Sequence, residues 1–600
     1  MSSHDLESQY KEFYGNVLEG SKLLLRLGGS TVKVTFNTAL FVLTCGSIVR
    51  WRRSSPKTPL TSQGNSEERF KVRSEANPTI PRTASREFLD KLIKEHEFSR
   101  KLSWAAMSKD KEDVIIIPSL SLDQSELSKI PAVTFYEERQ LCTLFFLNNP
   151  NLRLVYVTSM PVDKAIVEYY LGILEQTSMV SANEAHKRLF LVSCNDSSVM
   201  PLTSKILRRP KLVQKIRNFI NPAKAHMTCF ISSNLERDLA CQLEVPLFSN
   251  DPSLSYWGTK IGSREAFKQA GIKFAKGTPL FYTVGELVSA IAKLYIQEKC
   301  SVRKFVIKLN VGFSGEGNAL LRTDNFNKNQ LEDSILKCLG TELEYTYTLE
   351  TWATFQEKIQ EHGVLAEVWV ENAVESPSCQ ALINPRGEVE LLSTHEQLLN
   401  GGMVYQGCVF PASENYRKLI MDATYKVGQV LSSKGCRERF AVDYVVLQEE
   451  GEWVAYAIEI NLRWGGTSHP MITAKNLTNS ELTEEGLLRA CDDEYKFYVA
   501  TDNVQNDVYT GLTPEDFLEF VHSKPELQFD GENLTGVVFH LLSAISVHGK
   551  FGFIAIENSP EKALELYERT VELLEKEATE ISQNKQYTEL DLKITMPESG

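Results

Sequence analysis

Three polar groups share one face of the segment AIEINLRWGGTSHP, residues 457–470. Glu459, Asn461 and Arg463 sit two apart, with Ile458, Ile460 and Leu462 between them. Successive residues of a strand point to opposite faces, so an acid, an amide and a guanidinium line up opposite an apolar row. The flanking stretches ERFAVDYVVLQ and WVAYAIEINLR meet at QEEGEW, a hairpin signal centred on Gly451. Asp443 lies eight residues before that glycine and Glu459 eight after it. A hairpin symmetric about Gly451 places the two acids directly across the ladder, with Cβ atoms about 4.5–5.5 Å apart. Opposed carboxylates repel unless a cation stands between them. Oxygen ligands of this kind suit Mg²⁺, which combines one or two carboxylates with substrate phosphates. Arg463 beside them would neutralise phosphate oxygens. The competing reading is a solvated polar face on an antiparallel sheet. It leaves the two glycines and the proline of WGGTSHP without a reason, whereas such residues let backbone approach a ligand closely.

A second stretch, KLNVGFSGEGNALL at 308–321, ends an apolar strand on Lys308 and then spaces Gly312, Ser314, Gly315 and Gly317 before another apolar run. A glycine-rich loop can aim backbone N–H groups at phosphates, with the lysine adding a point charge. The spacing is neither a Walker A motif nor a dinucleotide fingerprint. A third stretch, Glu367-Val-Trp-Val-Glu371, has acids at both ends of an apolar strand. Its backbone could read the edge of a purine while Trp369 covers the ring; taken in isolation, a half-buried structural strand is the simpler explanation. His395 and Gln397 in STHEQLL, and His469 in SHP, fall near the same pocket in this reading, either as ligand contacts or as structural residues. His540 and His548 flank an apolar run further on, with packing as their simplest role.

The elements that must position these groups follow from periodicity. Six hundred residues imply several domains, and the apolar, charged and aromatic fractions are those of globular protein. A net charge of −13 argues against nonspecific nucleic-acid binding. Eleven cysteines without CxxC or zinc-type spacing fit reduced thiols in a cytoplasmic setting. Residues 34–49 are uncharged and precede Arg50, Trp51, Arg52 and Arg53, which makes them a candidate membrane-associated segment, although short for a span. Residues 52–85 have linker composition. Short apolar runs at 113–120, 151–159, 188–196 and 225–233 alternate with helical patterns and predict a parallel α/β layer. From about 256 the texture is that of an α+β domain, with a helix opened by Ser263, strands at 304–310 and 365–372, and the paired strands already described. Residues 559–578 read as an amphipathic helix.

Taken in order, Lys260 before a helix, Lys308 at a strand end, the glycine loop, EVWVEN and the D…E-x-N-x-R strands resemble the ATP-grasp superfamily. The runs FYEERQ, VMPLTSKILRRP, DPSLSYWGTKIGSREAF, SPSCQALINPRGEVELLSTHEQLL and TGVVFHLLSAISVHGKFG resemble one branch of it. That branch contains the pheganomycin-type peptide ligases and the ATP-grasp-like half of IQ-motif-containing protein H. The resemblance implies a Rossmann-like pre-ATP-grasp domain over 86–255, a two-lobed ATP-grasp domain over 256–480, and a C-terminal α+β region over 481–600, preceded by an extension over 1–85. It implies ATP with Mg²⁺, or Mn²⁺ in its place, and small carboxylate and amine substrates joined through an acyl phosphate. A nucleotide-binding scaffold without turnover is the alternative. By resemblance, Lys260 and Lys308 contact phosphates and Gly312, Ser314, Gly315 and Gly317 close over them. Glu367, Trp369 and Val370 hold adenine. Glu371 or Glu375 approaches the ribose, with His395 nearby. Asp443, Glu459 and Asn461 hold the metal, and Arg463 meets the γ-phosphate or the acyl phosphate.

Overall fold

In the computed structural model, the described residues run from 112 to 595, except 123, 131, 179, 313–316, 348–349 and 401–403; side chains are described to 583. They all belong to one of two compact units, Leu92–Gly600. The expected extension and the segment 34–49 lie outside the described residues, as do Ser314 and Gly315. Among the described residues no helix is long and apolar enough to cross a membrane.

The four apolar runs form strands β1 (Glu112–Ile117), β2 (Leu152–Thr158), β3 (Leu189–Ser193) and β4 (Ala225–Cys229). They pair in parallel in the order β3-β2-β1-β4. Ile115, Ile116, Val155, Tyr156 and Met227 are all sealed from solvent. Residues on both faces of the inner strands are covered, which is why their sequences are continuous apolar runs rather than alternating ones.

A small antiparallel sheet carries the lysine strand. Its order is β7 (Glu344–Tyr345), β6 (Asn318–Arg322), β5 (Lys304–Leu309), β8 (Val364–Val368). Lys308 pairs with Asn318, so the glycine stretch is the loop of the β5–β6 hairpin. Gly317 closes it at φ +80°, where a Cβ would stand 3.1 Å from the Leu309 side chain. Residues 369–376 then cross to a larger sheet.

That sheet contains β9 (Pro377–Ile383), β10 (Val389–Asn400), β11 (Val404–Phe410), β12 (Glu438–Glu449) and β13 (Glu452–Asn461). It continues without a break into β14 (Tyr495–Gln505), β15 (Phe529–Asp530), β16 (Thr535–His540) and β17 (Lys550–Glu557), in the order β13-β12-β9-β10-β11-β14-β17-β16-β15. The boundary expected at 480 therefore falls within the span of one sheet, because β11 pairs with β14 across it. Helices α1 (Lys260–Ala270) and α2 (Glu414–Ser433) bury Phe267, Tyr416, Ile420 and Val427 in a core shared with Phe440, Val442, Tyr444 and Ile460. Helix α3 (Ser468–Leu477) follows β13, and α4 (Pro560–Thr595) extends well past the predicted 559–578. Helix α1 opens one turn earlier than expected. Thr259 is its cap, accepting from the Gly262 N–H, while Ser263 is buried and its hydroxyl accepts from the Ile460 N–H at 3.0 Å.

Candidate active site

The β12–β13 hairpin turns on Glu450 and Gly451, both at positive φ (52° and 89°), with Glu449 paired to Glu452. This two-residue loop is centred half a residue before Gly451. Left regular, it would set Asp443 opposite Ile458. The register shifts between Tyr444 and Asp443, so that Tyr444 faces Ala457 and Asp443 faces Glu459. The opposition of the two acids is thus made by a β-bulge that sets Ile458 out of the ladder, not by hairpin symmetry. The bulge sends Ala457 and Tyr444 into the core and the two acids to the other face. The chain at Lys273 and Phe274 supports it, with the Ala457 N–H donating to the Lys273 carbonyl.

Around the acids the polar groups form one network. Asp443 accepts from Asn461 Nδ2 at 2.8 Å and from Gln397 Nε2 at 3.0 Å. Asn461 Oδ1 accepts from Arg463 Nη2 at 3.0 Å. Lys260 is ion-paired with Glu459. Lys308 Nζ lies 2.6 Å from one oxygen of Glu367, and Arg264 Nη1 lies 2.9 Å from the other. The lysine of the small sheet and the acids of the large one are therefore brought together through α1. Asn310 makes that joint: its carbonyl accepts from the Lys260 N–H and its side chain from the Ile261 N–H. The first N–H groups of α1 are thereby spent, and what the helix offers the cleft is the Lys260 side chain.

The electrostatics are those of a buried site rich in cations. Burial pushes the Lys260 ammonium down to about 7; the like charge of Lys308 lowers it further, against the pull of Glu367 and Asp443. Burial likewise brings Arg463 down to about 10 and lifts Asp443 to about 6, the latter opposed by Lys260 and Arg463. Burial alone would raise Glu367, but Lys308 and then Arg264 outweigh it and hold the carboxyl below its ordinary value. Four cationic side chains, Lys260, Arg264, Lys308 and Arg463, thus face three carboxylates, Asp443, Glu459 and Glu367. Such an imbalance in a low-dielectric setting favours an added anion.

The other residues expected at the site have defined surroundings. Glu367, expected beside adenine, spends both oxygens on Lys308 and Arg264 and so orients the lysine. The N–H groups of Val368 and Trp369 donate to the carbonyls of Lys276 and Lys304. The Trp369 ring lies under the Lys304 ammonium, 5.7 Å away. His395 is wholly buried: its Nε2 meets the Tyr498 hydroxyl at 2.7 Å, its ring packs against Phe410, and burial lowers it to about 3. It is a core residue, kept neutral by the absence of water. Glu375 bonds through its backbone to Val446, and burial raises its carboxyl to about 7. Glu371 keeps one buried carboxylate oxygen without a hydrogen-bond partner among the described residues, in keeping with a polar ligand at the crossing segment. Of the WGGTSHP glycines, Gly466 is required by packing, since a Cβ there would stand 2.6 Å from the Tyr405 ring.

Arg264 and Asn310 carry more of the site than sequence reasoning gave them. Arg264 lies one helical turn beyond Lys260, and Asn310 lies two past Lys308 along the strand direction; both spacings put them beside their lysines. Arg139, near enough to depress Arg463 by its like charge, comes from the remote FYEERQ stretch and had no local signal.

The family model described as IQCH-like, ATP-grasp matches residues 253–343 and 340–482. Residues 253–482 are thus similar to ATP-grasp domains of the IQCH-like family. The matched span contains every residue of the network just described except Arg139. A second model, the PGM1 C-terminal domain, matches 524–570. The chain is 29% identical over 455 residues to an L-propargylglycine–L-glutamate ligase of Streptantibioticus cattleyicolor, covering 75% of this chain and 91% of that one. It is 23% identical over 407 residues to IQ motif-containing protein H of Danio rerio, covering 60% of this chain and 38% of that protein. Among solved structures it resembles an ADP complex of N5-carboxyaminoimidazole ribonucleotide synthetase, with 14% identity, TM-score 0.44, 78% of this chain and 97% of the other. It also resembles a biotin carboxylase from Campylobacter jejuni, with 10% identity, TM-score 0.45, 77% of this chain and 90% of the other.

Proposed function

We propose that this chain is an ATP- and Mg²⁺-dependent ligase that joins a carboxylate to an amine, with amino acids or short peptides as substrates. The observation that carries the proposal is the buried convergence of Lys260, Lys308 and Arg463 beside the opposed Asp443 and Glu459. The cations outnumber the carboxylates, and a polyphosphate supplies the missing negative charge. Asp443, Glu459 and Asn461 would hold Mg²⁺: their donors are all oxygen, Glu459 is already ion-paired with the Lys260 ammonium, and the same charge acts on Asp443. When bound, the metal supplies charge neutralisation at the phosphates. The similarity to a ligase of two amino acids supports the substrate class.

In this reading Lys308, held by Glu367, and Lys260 orient the phosphates. A substrate carboxylate oxygen attacks the γ-phosphorus as the bond to ADP breaks. The amine nitrogen then attacks the acyl carbon and phosphate departs. Arg463 faces the charge that develops on the transferred group, where fixed donors act most strongly because water is excluded. By sequence resemblance, the glycine-rich stretch 312–317 would cover the phosphates. The reaction takes place in the cytoplasm, where ATP and reduced thiols coexist.

The test is an ADP-release screen of the full chain over amino acids, dipeptides and acidic metabolites, with mass spectrometry of the products. A condensed amide formed in step with ADP is expected. ATP binding without any ADP release across the screen would identify a nucleotide-binding scaffold instead.

A further inference from the structure

Outside the nucleotide network, His469, Asp502 and His540 form a cluster whose members are each 3% exposed. His469 stands in the first turn of α3, Asp502 in β14 and His540 at the end of β16. His540 Nε2 lies 2.8 Å and His469 Nε2 3.0 Å from the same oxygen, Asp502 Oδ1. The two nitrogens are 3.1 Å apart. The other carboxylate oxygen, Oδ2, lies 2.9 Å from Arg139 Nη2, so a single oxygen is turned to the imidazoles.

Three atoms in a triangle of this size cannot all be joined by hydrogen bonds. If both nitrogens carry protons, the N–H groups confront each other across the 3.1 Å edge. If only one does, a nitrogen lone pair confronts the carboxylate oxygen. A cation touching all three removes the conflict when both imidazoles carry their proton on Nδ1 and turn the Nε2 lone pair to the ion. The dimensions agree with that solution. Donors about 2.1 Å from one ion on adjacent octahedral positions stand about 3.0 Å apart, and two imidazole rings radiating from it have centres about 4.6 Å apart. The observed edges are 2.8, 3.0 and 3.1 Å, and the ring centres are 4.5 Å apart with planes at 71°. The ring nitrogens away from the cluster have no hydrogen-bond partner among the described residues, so packing orients the rings. Gly552, paired with His540 on the neighbouring strand, is part of that packing: a Cβ there would fall 2.2 Å from His540 Nε2.

We propose that His469, Asp502 and His540 bind a first-row divalent metal ion, such as Fe²⁺, Mn²⁺, Co²⁺ or Zn²⁺, at a site distinct from the Mg²⁺-nucleotide site. Two imidazoles and one carboxylate oxygen on one face are the donor set for such ions, whereas Mg²⁺ favours oxygen alone. The site does not depend on the ligase reading.

The test uses the full chain, stripped with a chelator and titrated with Co²⁺ without nucleotide, followed by visible absorption and by elemental analysis after gel filtration. One Co²⁺ per chain with a nitrogen-ligand absorption band is expected. His540→Ala and Asp502→Asn should each weaken it by about 100-fold or more, in excess of what loss of an outer hydrogen-bond partner does to a metal site. Glu459→Gln, in the nucleotide network, should leave Co²⁺ binding unchanged. Asp502→Asn keeps the shape of the side chain, and its circular dichroism melt establishes that loss of metal is not loss of fold. Absence of Co²⁺, Zn²⁺ and Mn²⁺ from the wild-type chain, or equal binding by folded Asp502→Asn, would overturn the proposal.

Discussion

Glu367→Gln isolates the electrostatic joint on which the nucleotide site rests. The carboxylate is buried and bonded on both oxygens, to Lys308 at 2.6 Å and Arg264 at 2.9 Å, and both cations are themselves largely buried. The substitution keeps the shape and removes the charge, leaving two cations in a low-dielectric setting without their anion. Breaking a buried pair in this way costs about 3–5 kcal/mol, which corresponds to a fall in melting temperature of roughly 6–20 °C. The freed cations lie where phosphate is expected, so an added polyanion should recover part of the loss. Differential scanning calorimetry with and without millimolar pyrophosphate measures both effects. The variant should melt well below the wild type and gain more from pyrophosphate. A melt within 2 °C of wild type would show that the carboxylate does not hold the cations. An equal pyrophosphate shift in both proteins would show that the cations do not face the phosphate site.

Lys260 should make ATP binding pH-dependent. Its pKa is lowered to about 7 in the free protein and rises when phosphates bind, so ATP affinity is highest below pH 7 and falls as pH rises above it. Calorimetry in buffers of different ionisation enthalpy should show proton uptake on binding between pH 7 and 9, and Lys260→Met should abolish it; wild-type uptake in the variant would remove Lys260 from the pocket. His395, lowered to about 3, stays neutral in the folded chain while the unfolded chain takes up a proton below about 6.5. Its contribution is present above pH 6.5 and is lost on acidification toward 3, at about 1.4 kcal/mol per pH unit within that window. The difference in urea midpoint between wild type and His395→Leu should therefore change across pH 6.5 to 4.5; a constant difference would refute the buried neutral assignment.

The parallel layer was legible because strands covered on both faces must be apolar throughout, as in Val114–Ile117 and Leu154–Val157. Lys308 at a strand end and the face shared by Glu459 and Asn461 were legible because strand periodicity is local. The cause of the Asp443–Glu459 opposition was not, since the bulge at Ile458 is stabilised by Lys273 and Phe274, nearly two hundred residues earlier. His395 could not be sorted from a ligand contact because its burial comes from Tyr498 and Phe410 on other strands. For the same reason the continuity of the large sheet across 480 left no mark: β11 and β14 are joined only by tertiary pairing.

In the proposed ligase the opposed acids of β12 and β13 serve the chemistry of ATP. ADP release by Glu459→Ala, measured with the substrates that support turnover by the wild-type chain, addresses this directly. A loss of about 10²–10³-fold is expected, the scale at which a fixed charge-stabilising group is removed from a transition state, in a protein that keeps its fold. ADP release at the wild-type rate by that variant would contradict it.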